Sequence, residues 1–369
     1  MSSAPEPVDF ALLGHPAGYD HLGDLLQQAK KDFDAAKLRR HQPLLRKFFE
    51  WTPSYPTHHR LSVTDPQGRQ ATGRMIICTF MPDALQNPRD MLAAYQKTVA
   101  GCRVAKSLGA RIVGLGGFTS IVSGDQGRRL AAELGVAVTS GNSLTAAIGL
   151  DQIEQVIAQL QWDLSDRSLA IVGGSGDIGR ACTFRLAPRA RRVLLIGRNV
   201  APLERLREEL PAELDVAVST RVPAAMACDV IITATSAAEP LLDEADFSAG
   251  TLAFDFGYPR NVRGAAAPRT DTLLMPVGRA RLPFALPLSD YTRLGDIHLL
   301  FGCFTEAIVL ALTGQFESYS VGQGCITEGR MRRILALAHD CGIVAADPFS
   351  DAAIPKDRRL DQFLGYSTT

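Results

Sequence analysis

At 369 residues the chain is too long for one ordinary domain, so two domains plus an appendage are the natural expectation. Hydrophobic residues make up 46% and charged residues 21%, the balance of a soluble, globular, enzyme-sized protein. The 39 basic residues cancel the 39 acidic ones, which removes any bulk electrostatic case for nucleic acid or an anionic membrane and leaves only local patches.

The first residues, MSSAPEPVDF, have neither a basic region nor a long apolar core, so no secretory signal is expected. The most apolar helical stretch, Ala307–Leu312, is far short of the roughly 20 residues of a membrane span, so no integral membrane segment is expected. The seven cysteines, at 78, 102, 182, 228, 303, 325 and 341, form no CxxC pair and no zinc spacing with histidine. That pattern predicts reduced cytoplasmic thiols and no metal site.

In chain order, residues 7–14 (PVDFALLG) read as a first strand. A helical segment over roughly 21–49 follows, carrying Lys30, Lys31, Lys37, Arg39, Arg40, Arg46 and Lys47. Such a basic stretch is either a solvated helix face or a docking surface for an acidic partner. Arg74–Phe80 reads as a buried strand, and Asp90–Leu108 as an amphipathic helix with Asp90 as its N-cap. Arg111–Leu115 and Val136–Thr139 are further strands, ending at the loops Gly116–Ser120 and Ser140–Ser143. A helix over 144–160 leads onward. From Ser168 the pattern becomes a βαβ series, SLAIVG, RRVLLIG, DVIITAT and TLAFDFG, as a parallel sheet requires. The tail turns helical, with Gly314 ending one helix and another over 327–340. The expected fold is therefore α/β. An N-terminal α/β substrate domain (1–150) precedes a Rossmann-type NADP-binding domain (151–292) and a C-terminal helical segment (293–369).

Gly173, Gly174, Ser175, Gly176, Asp177, Ile178 and Gly179 directly follow a strand and open a helix, satisfying both GxGxxG and GxxGxxG. Glycines there allow a tight turn and let a pyrophosphate approach the free N–H groups of the helix start. The second strand ends in Arg198, where an NAD enzyme usually places Asp or Glu. An arginine suits the 2′-phosphate of NADPH. Thr233, Thr235 and Ser236 end the next strand at the edge where ligands bind, and either contact the cofactor or cap the strand. Asp255 and Tyr258 border the nicotinamide or, for Asp255, form a buried paired carboxylate.

Cys303 falls in the first turn of a helix beginning near Gly302. A helix dipole and free N–H groups there lower a thiol pKa, while Glu306 one turn on opposes this or caps the helix. Cys303 is then a nucleophile or a packing cysteine, and His298 a base or a structural histidine. A thiolate and NADPH together suit reduction of an activated acyl group through a protein thioester. His15, at the end of the first strand, is a candidate proton donor, and Asn142 a candidate to polarise the acyl carbonyl.

Several blocks of sequence bear a family resemblance: Gly14-His15, LGGFTSI at 115–121, Gly141-Asn142-Ser143 with Thr145-Ala146, GDIG at 176–179, Gly257-Tyr258-Pro259 with Asn261, and Phe301, Cys303-Phe304 and Glu306-Ala307. In these the chain resembles the cyanobacterial long-chain acyl-[acyl-carrier-protein] reductases, which convert fatty acyl thioesters to fatty aldehydes with NADPH. The match covers roughly 110–325 and is thin over 16–60. The resemblance implies that Cys303 accepts the acyl group, that acyl carrier protein or acyl-CoA delivers it, and that an aldehyde-consuming enzyme takes the product. Two other readings compete. A shikimate-dehydrogenase-like alcohol or keto-acid dehydrogenase needs a Lys–Asp relay in the N-terminal domain, yet the lysines there lie in helical segments. A non-catalytic NADP sensor would tolerate loss of Cys303.

Overall fold

The structure, a computed structural model, describes residues 6–23, 40–125, 127–267, 269–349 and 356–365. The chain forms two compact units. The first comprises Met1–Thr145, Ala280–Cys325 and Gly329–Val344, and the second Ala146–Arg279, Ile326–Glu328 and Ala345–Thr369. The region 293–369, expected as a separate helical segment, is therefore divided between the two. The cause lies in the helix Gly302–Leu312, whose sequence GCFTEAIVLAL is apolar on nearly every side. Such a helix must be buried all round, and it packs on the sheet of the first unit.

The first unit is built on strands β1 (Phe10–Gly14), β2 (Tyr55–Thr64), β3 (Gln70–Ile77), β4 (Ile112–Leu115) and β5 (Ala137–Thr139), in the spatial order β2-β3-β1-β4-β5. All neighbours are parallel except β2, which runs antiparallel on the edge beside β3. Phe10, Leu12, Leu13, Ile76, Ile112 and Leu115 are fully buried, because helices cover both faces of the parallel part. Strand β2 escaped the sequence reading. It contains Pro56 and the pair His58-His59, and a bulge lies between Pro56 and Arg60. Proline and bulges are tolerated at an edge, where half of the backbone faces water.

The long helix predicted over 90–108 runs from Pro88 to Ser107. Its N-cap is Asn87, not Asp90. The Asn87 side chain accepts the Asp90 N–H at 2.9 Å, and Pro88 occupies the first helical turn. Of the helical segment predicted over 21–49, Gln42–Trp51 is an α-helix, while Lys30, Lys31, Lys37 and Arg39 lie outside the described residues. The supposed loop Gly116–Ser120 turns into a short helix, Phe118–Val122.

The second unit contains a six-stranded sheet: β6 (Ser168–Val172), β7 (Arg192–Ile196), β8 (Val216–Ser219), β9 (Val230–Thr233), β10 (Leu252–Asp255) and β11 (Leu273–Pro276). The spatial order is β11-β10-β9-β6-β7-β8, with every pair parallel. Counted from β6, this is the 3-2-1-4-5-6 order of the Rossmann fold, reversing direction between β6 and β9. The four central strands match the predicted apolar runs. The two edges, β8 and β11, were not predicted: β8 is only half-buried, while β11 is apolar and buried but only four residues long and ends in a proline.

Candidate active site

In the second unit the glycine loop lies at the point where the strand order reverses. Gly173 has φ +92°, and a Cβ on it would fall 2.3 Å from the Ala234 carbonyl oxygen, just past β9. A Cβ on Gly179 would meet the Gly173 carbonyl at 2.1 Å, so the helix Asp177–Leu186 sits tight against the loop. The Gly173 and Gly174 N–H groups donate to Ile196 O at 2.7 and 3.1 Å, and the Gly176 N–H to Gly173 O at 2.9 Å. Ser175 and Gly176 are exposed, and Asp177 and Ile178 open the helix, whose first N–H groups have no carbonyl in their own helix to bind. That is a cradle for a phosphate anion. Arg198 follows β7 by two residues, is exposed, and makes no ion pair with another described residue. The residues present therefore fit a dinucleotide with a 2′-phosphate, that is NADP(H).

Two of the predicted cofactor residues are spent on the protein itself. Thr233 is fully buried and its hydroxyl donates to Asp255 Oδ1 at 2.7 Å. The Thr235 N–H donates to Asn261 Oδ1 at 2.9 Å, and its hydroxyl accepts the Ala237 N–H at 3.2 Å. Ser236 is half-buried beside them. Asp255 is a buried hub that also accepts N–H groups from Gly257, Asn261 and Val262 at 2.8, 2.9 and 3.1 Å. Burial pushes its pKa up, and the bond from Thr233 pulls it back. The loops after β9 and β10 are thus tied together by one carboxylate and one amide, a network that spacing along the chain does not reveal.

In the first unit, Cys303 lies in the first turn of the helix Gly302–Leu312, as its sequence position predicted. It is partly exposed, and the backbone N–H groups of Gly117, Phe304 and Cys303 itself act on its thiol to lower the pKa. Two glycine loops make room for Cys303 and the neighbouring Phe304. Gly141 has φ +70°, and a Cβ there would fall 2.2 Å from Cys303 Cα and 2.3 Å from its carbonyl oxygen. A Cβ on Gly116 would strike the Phe304 ring at 2.2 Å. Gly141→Ala should therefore cost about 3 kcal/mol or more, from overpacking against backbone plus an unfavourable φ. Urea unfolding measures this, and an unchanged midpoint would contradict the close approach.

The thiol differs from expectation in one respect. Its pKa is pushed up to about 11, chiefly by burial, which outweighs the three N–H groups. Glu306 adds to the rise and does not cap its own helix. It is fully buried and accepts the Thr139 hydroxyl and the Leu144 N–H, the latter at 2.9 Å in the first turn of the helix Asn142–Gln159. Burial raises its own pKa. Iodoacetamide labelling of Cys303 should climb about tenfold per pH unit from 7 to 9. Levelling off below pH 8 would reveal a preformed thiolate instead.

His15 stacks between Phe80 (4.8 Å) and Phe118 (5.2 Å). Its Nε2 accepts the Phe118 N–H at 2.9 Å, and its Nδ1–H donates to Pro16 O at 2.9 Å. Burial lowers its pKa to about 4, so the ring is neutral and both nitrogens are engaged. In this geometry His15 braces the loop that carries Gly117, and its one ring proton is held by the Pro16 carbonyl. Because the folded pKa lies below the usual 6.5, the unfolded chain takes up a proton first on acidification. The contribution is complete above pH 6.5 and fades towards pH 4, by up to about 3 kcal/mol. His15→Gln should flatten that part of the stability curve, and an equally steep loss in the variant would assign it elsewhere.

Asn142 begins its helix directly after Gly141, beside Cys303 in the chain's path, with its own N–H 3.4 Å from Ser140 Oγ. His298 Nδ1 faces the Leu282 carbonyl at 3.3 Å. A cavity of about 210 Å³ opens elsewhere in this unit, lined by Phe49, Phe80, Met81, Ala84 and Ala94, with Arg46 and Lys97 among its charged groups. Of the lysines a dehydrogenase relay would need, Lys97 donates to Thr52 O, and Lys106 to Leu134 O at 2.7 Å.

The family model for shikimate / quinate 5-dehydrogenase matches residues 130–277, mostly the second unit. The chain is 28% identical over 332 residues to the aminotransferase PigE of Serratia sp., covering 86% of this chain and 37% of that protein. It is 27% identical over 340 residues to the long-chain acyl-[acyl-carrier-protein] reductase of Synechococcus elongatus, covering 88% and 95%. A glutamyl-tRNA reductase of the same species is 27% identical over 234 residues, covering 54% and 53%. The chain thus spans little more than a third of the aminotransferase and about half of the glutamyl-tRNA reductase, but nearly all of the acyl-carrier-protein reductase. By fold and dinucleotide loop it is a Rossmann-type protein, similar over most of its length to reductases.

Proposed function

We propose that the protein is an NADPH-dependent reductase of acyl thioesters, releasing the aldehyde through an acyl-enzyme on Cys303. The observation that carries this reading is a cysteine at a helix start, with Gly141 packed against its backbone and Gly116 against the Phe304 ring beside it. Attack of Cys303 Sγ on the thioester carbonyl forms the new S–C bond. The old S–C bond breaks, and the thiol proton ends on the departing carrier sulfur. A thiol with pKa near 11 is mostly protonated at neutral pH, so its proton must leave as the bond forms. NADPH, when bound, supplies one hydride to the carbonyl carbon. The resulting thiohemiacetal oxyanion expels Cys303 as the thiolate and releases the aldehyde, and a proton from water restores the thiol. The N–H groups of Gly117 and Phe304 are suited to hold negative charge on sulfur in both halves of the reaction.

An acyl carrier protein or coenzyme A delivers the acyl group, and a long chain is the substrate best matched by similarity to the Synechococcus enzyme. The dehydrogenase alternative draws on the family match at 130–277, but that match stops short of most of the first unit, where its proton relay would lie. Intact-protein mass spectrometry after incubation with palmitoyl-CoA tests the proposal. An acyl adduct that NADPH then discharges as aldehyde is the expected result. Absence of any adduct with acyl-CoA and acyl-carrier thioesters alike, with NADPH still bound, would sink the covalent route.

A further inference from the structure

The helix Gln42–Trp51 is amphipathic in an unusual sense. Phe49 is its one buried residue and anchors it to the first unit. On another face, Leu44, Phe48 and Trp51 follow one another at i, i+4 and i+7 with 68, 61 and 81% of their surface exposed. Tyr55, just beyond, is also exposed. Four of the eleven large exposed apolar side chains among the described residues thus fall within twelve positions. Scattered single exposures need no explanation, but a continuous stripe does.

The charges around the stripe select what covers it. Arg46 is turned inward and neutralised by Asp83, Asp90 and Glu50, so it takes no part. Arg40 and Lys47 are exposed and make no ion pair with another described residue. The local sequence is cationic as well, with six basic residues besides Arg46 to two acidic over 30–47 in a chain of zero net charge. Leucine and aromatic side chains on one face with basic residues at its borders are the composition of a helix that lies in a lipid interface. Tryptophan and tyrosine favour that boundary because each has an apolar body and a polar tip. A protein partner would also cover an apolar patch with a charged rim, and the vesicle experiment separates the two. No helix among the described residues is long and apolar enough to cross a membrane, so contact would be peripheral.

We infer that this helix docks the protein onto anionic lipid surfaces, with Leu44, Phe48 and Trp51 entering the headgroup boundary and Arg40 and Lys47 meeting lipid phosphates. The inference stands on this surface alone and does not depend on the proposed reaction.

The test uses the full chain with vesicles of phosphatidylcholine containing 40% phosphatidylglycerol, against vesicles of pure phosphatidylcholine. Co-sedimentation should be at least fivefold greater with the anionic vesicles and fall as NaCl rises from 0.1 to 0.5 M. Brominated lipid should quench the fluorescence of the wild type, and Trp51→Phe should remove that quenching while leaving binding. Leu44→Ser/Phe48→Ser/Trp51→Ser should lose binding at unchanged NADPH affinity. Equal binding to both vesicles, no quenching at Trp51, or undiminished binding of the triple variant would each overturn the proposal. So would a triple variant that keeps vesicle binding but loses an acidic acyl carrier protein. Should the triple variant misfold, the Trp51 quenching and Lys47→Glu decide the matter.

Discussion

Cys303→Ala should abolish aldehyde formation from acyl thioesters, by about 10⁴-fold or more, while leaving NADPH binding within twofold of wild type. The size follows from what the sulfur does in the proposal. It accepts the acyl group, holds it for reduction and leaves from the thiohemiacetal, so no neighbouring residue can substitute. Cofactor binding should survive because the glycine loop and Arg198 belong to the second unit and Cys303 to the first. The fold should survive too, since the change removes one atom from a partly exposed side chain. Cys303→Ser is the companion variant. Its oxygen is a poor nucleophile without a base, and the base candidate His298 has its Nδ1 turned to the Leu282 carbonyl. Turnover by Cys303→Ala above a hundredth of wild type would exclude the acyl-enzyme. It would revive the dehydrogenase reading, whose hydride transfer needs no thiol.

Replacing Arg198 by Asp should raise the KM for NADPH about 30-fold and bring NADH within reach, with kcat for NADPH changed less than threefold. A charged hydrogen bond to phosphate is worth about 2 kcal/mol, which is about a factor of 30. The introduced carboxylate repels the 2′-phosphate and accepts a bond from the 2′-hydroxyl that NADH presents in its place. Arg198 is available because it follows β7 by two residues, exposed and with no ion pair to another described residue. Steady-state kinetics with both cofactors give the result. An unchanged preference for NADPH would move recognition of the phosphate to another residue. Protection of the variant from thermal unfolding by each cofactor is a second readout, independent of the substrate.

Peptide-level signals made the second unit legible. Four apolar runs and a glycine loop in a strand–turn–helix context are local features, and each resides in a few consecutive residues. Its edge strand β8 was less visible, as was β2 with Pro56 and its bulge, because a half-solvated strand need not be continuously apolar, and β11 was too short beside its proline. The N-cap at Asn87 was missed in favour of Asp90, which sits one turn inside the helix and is where acidic residues also accumulate.

The candidate site divides along the same line. Residue identity alone located Cys303 at a helix start, the GGSGDIG loop and Arg198, since each depends on its own neighbours in sequence. Only the tertiary structure decided the ionisation of the thiol, because burial by distant segments outweighs the local dipole. It also bound Glu306 to Leu144, 162 residues earlier, spent Thr233 on Asp255, and packed Gly141 against Cys303. These are contacts between segments far apart in the chain. Their energies depend on desolvation and on approach distances of a few ångströms, which no pattern of spacing encodes.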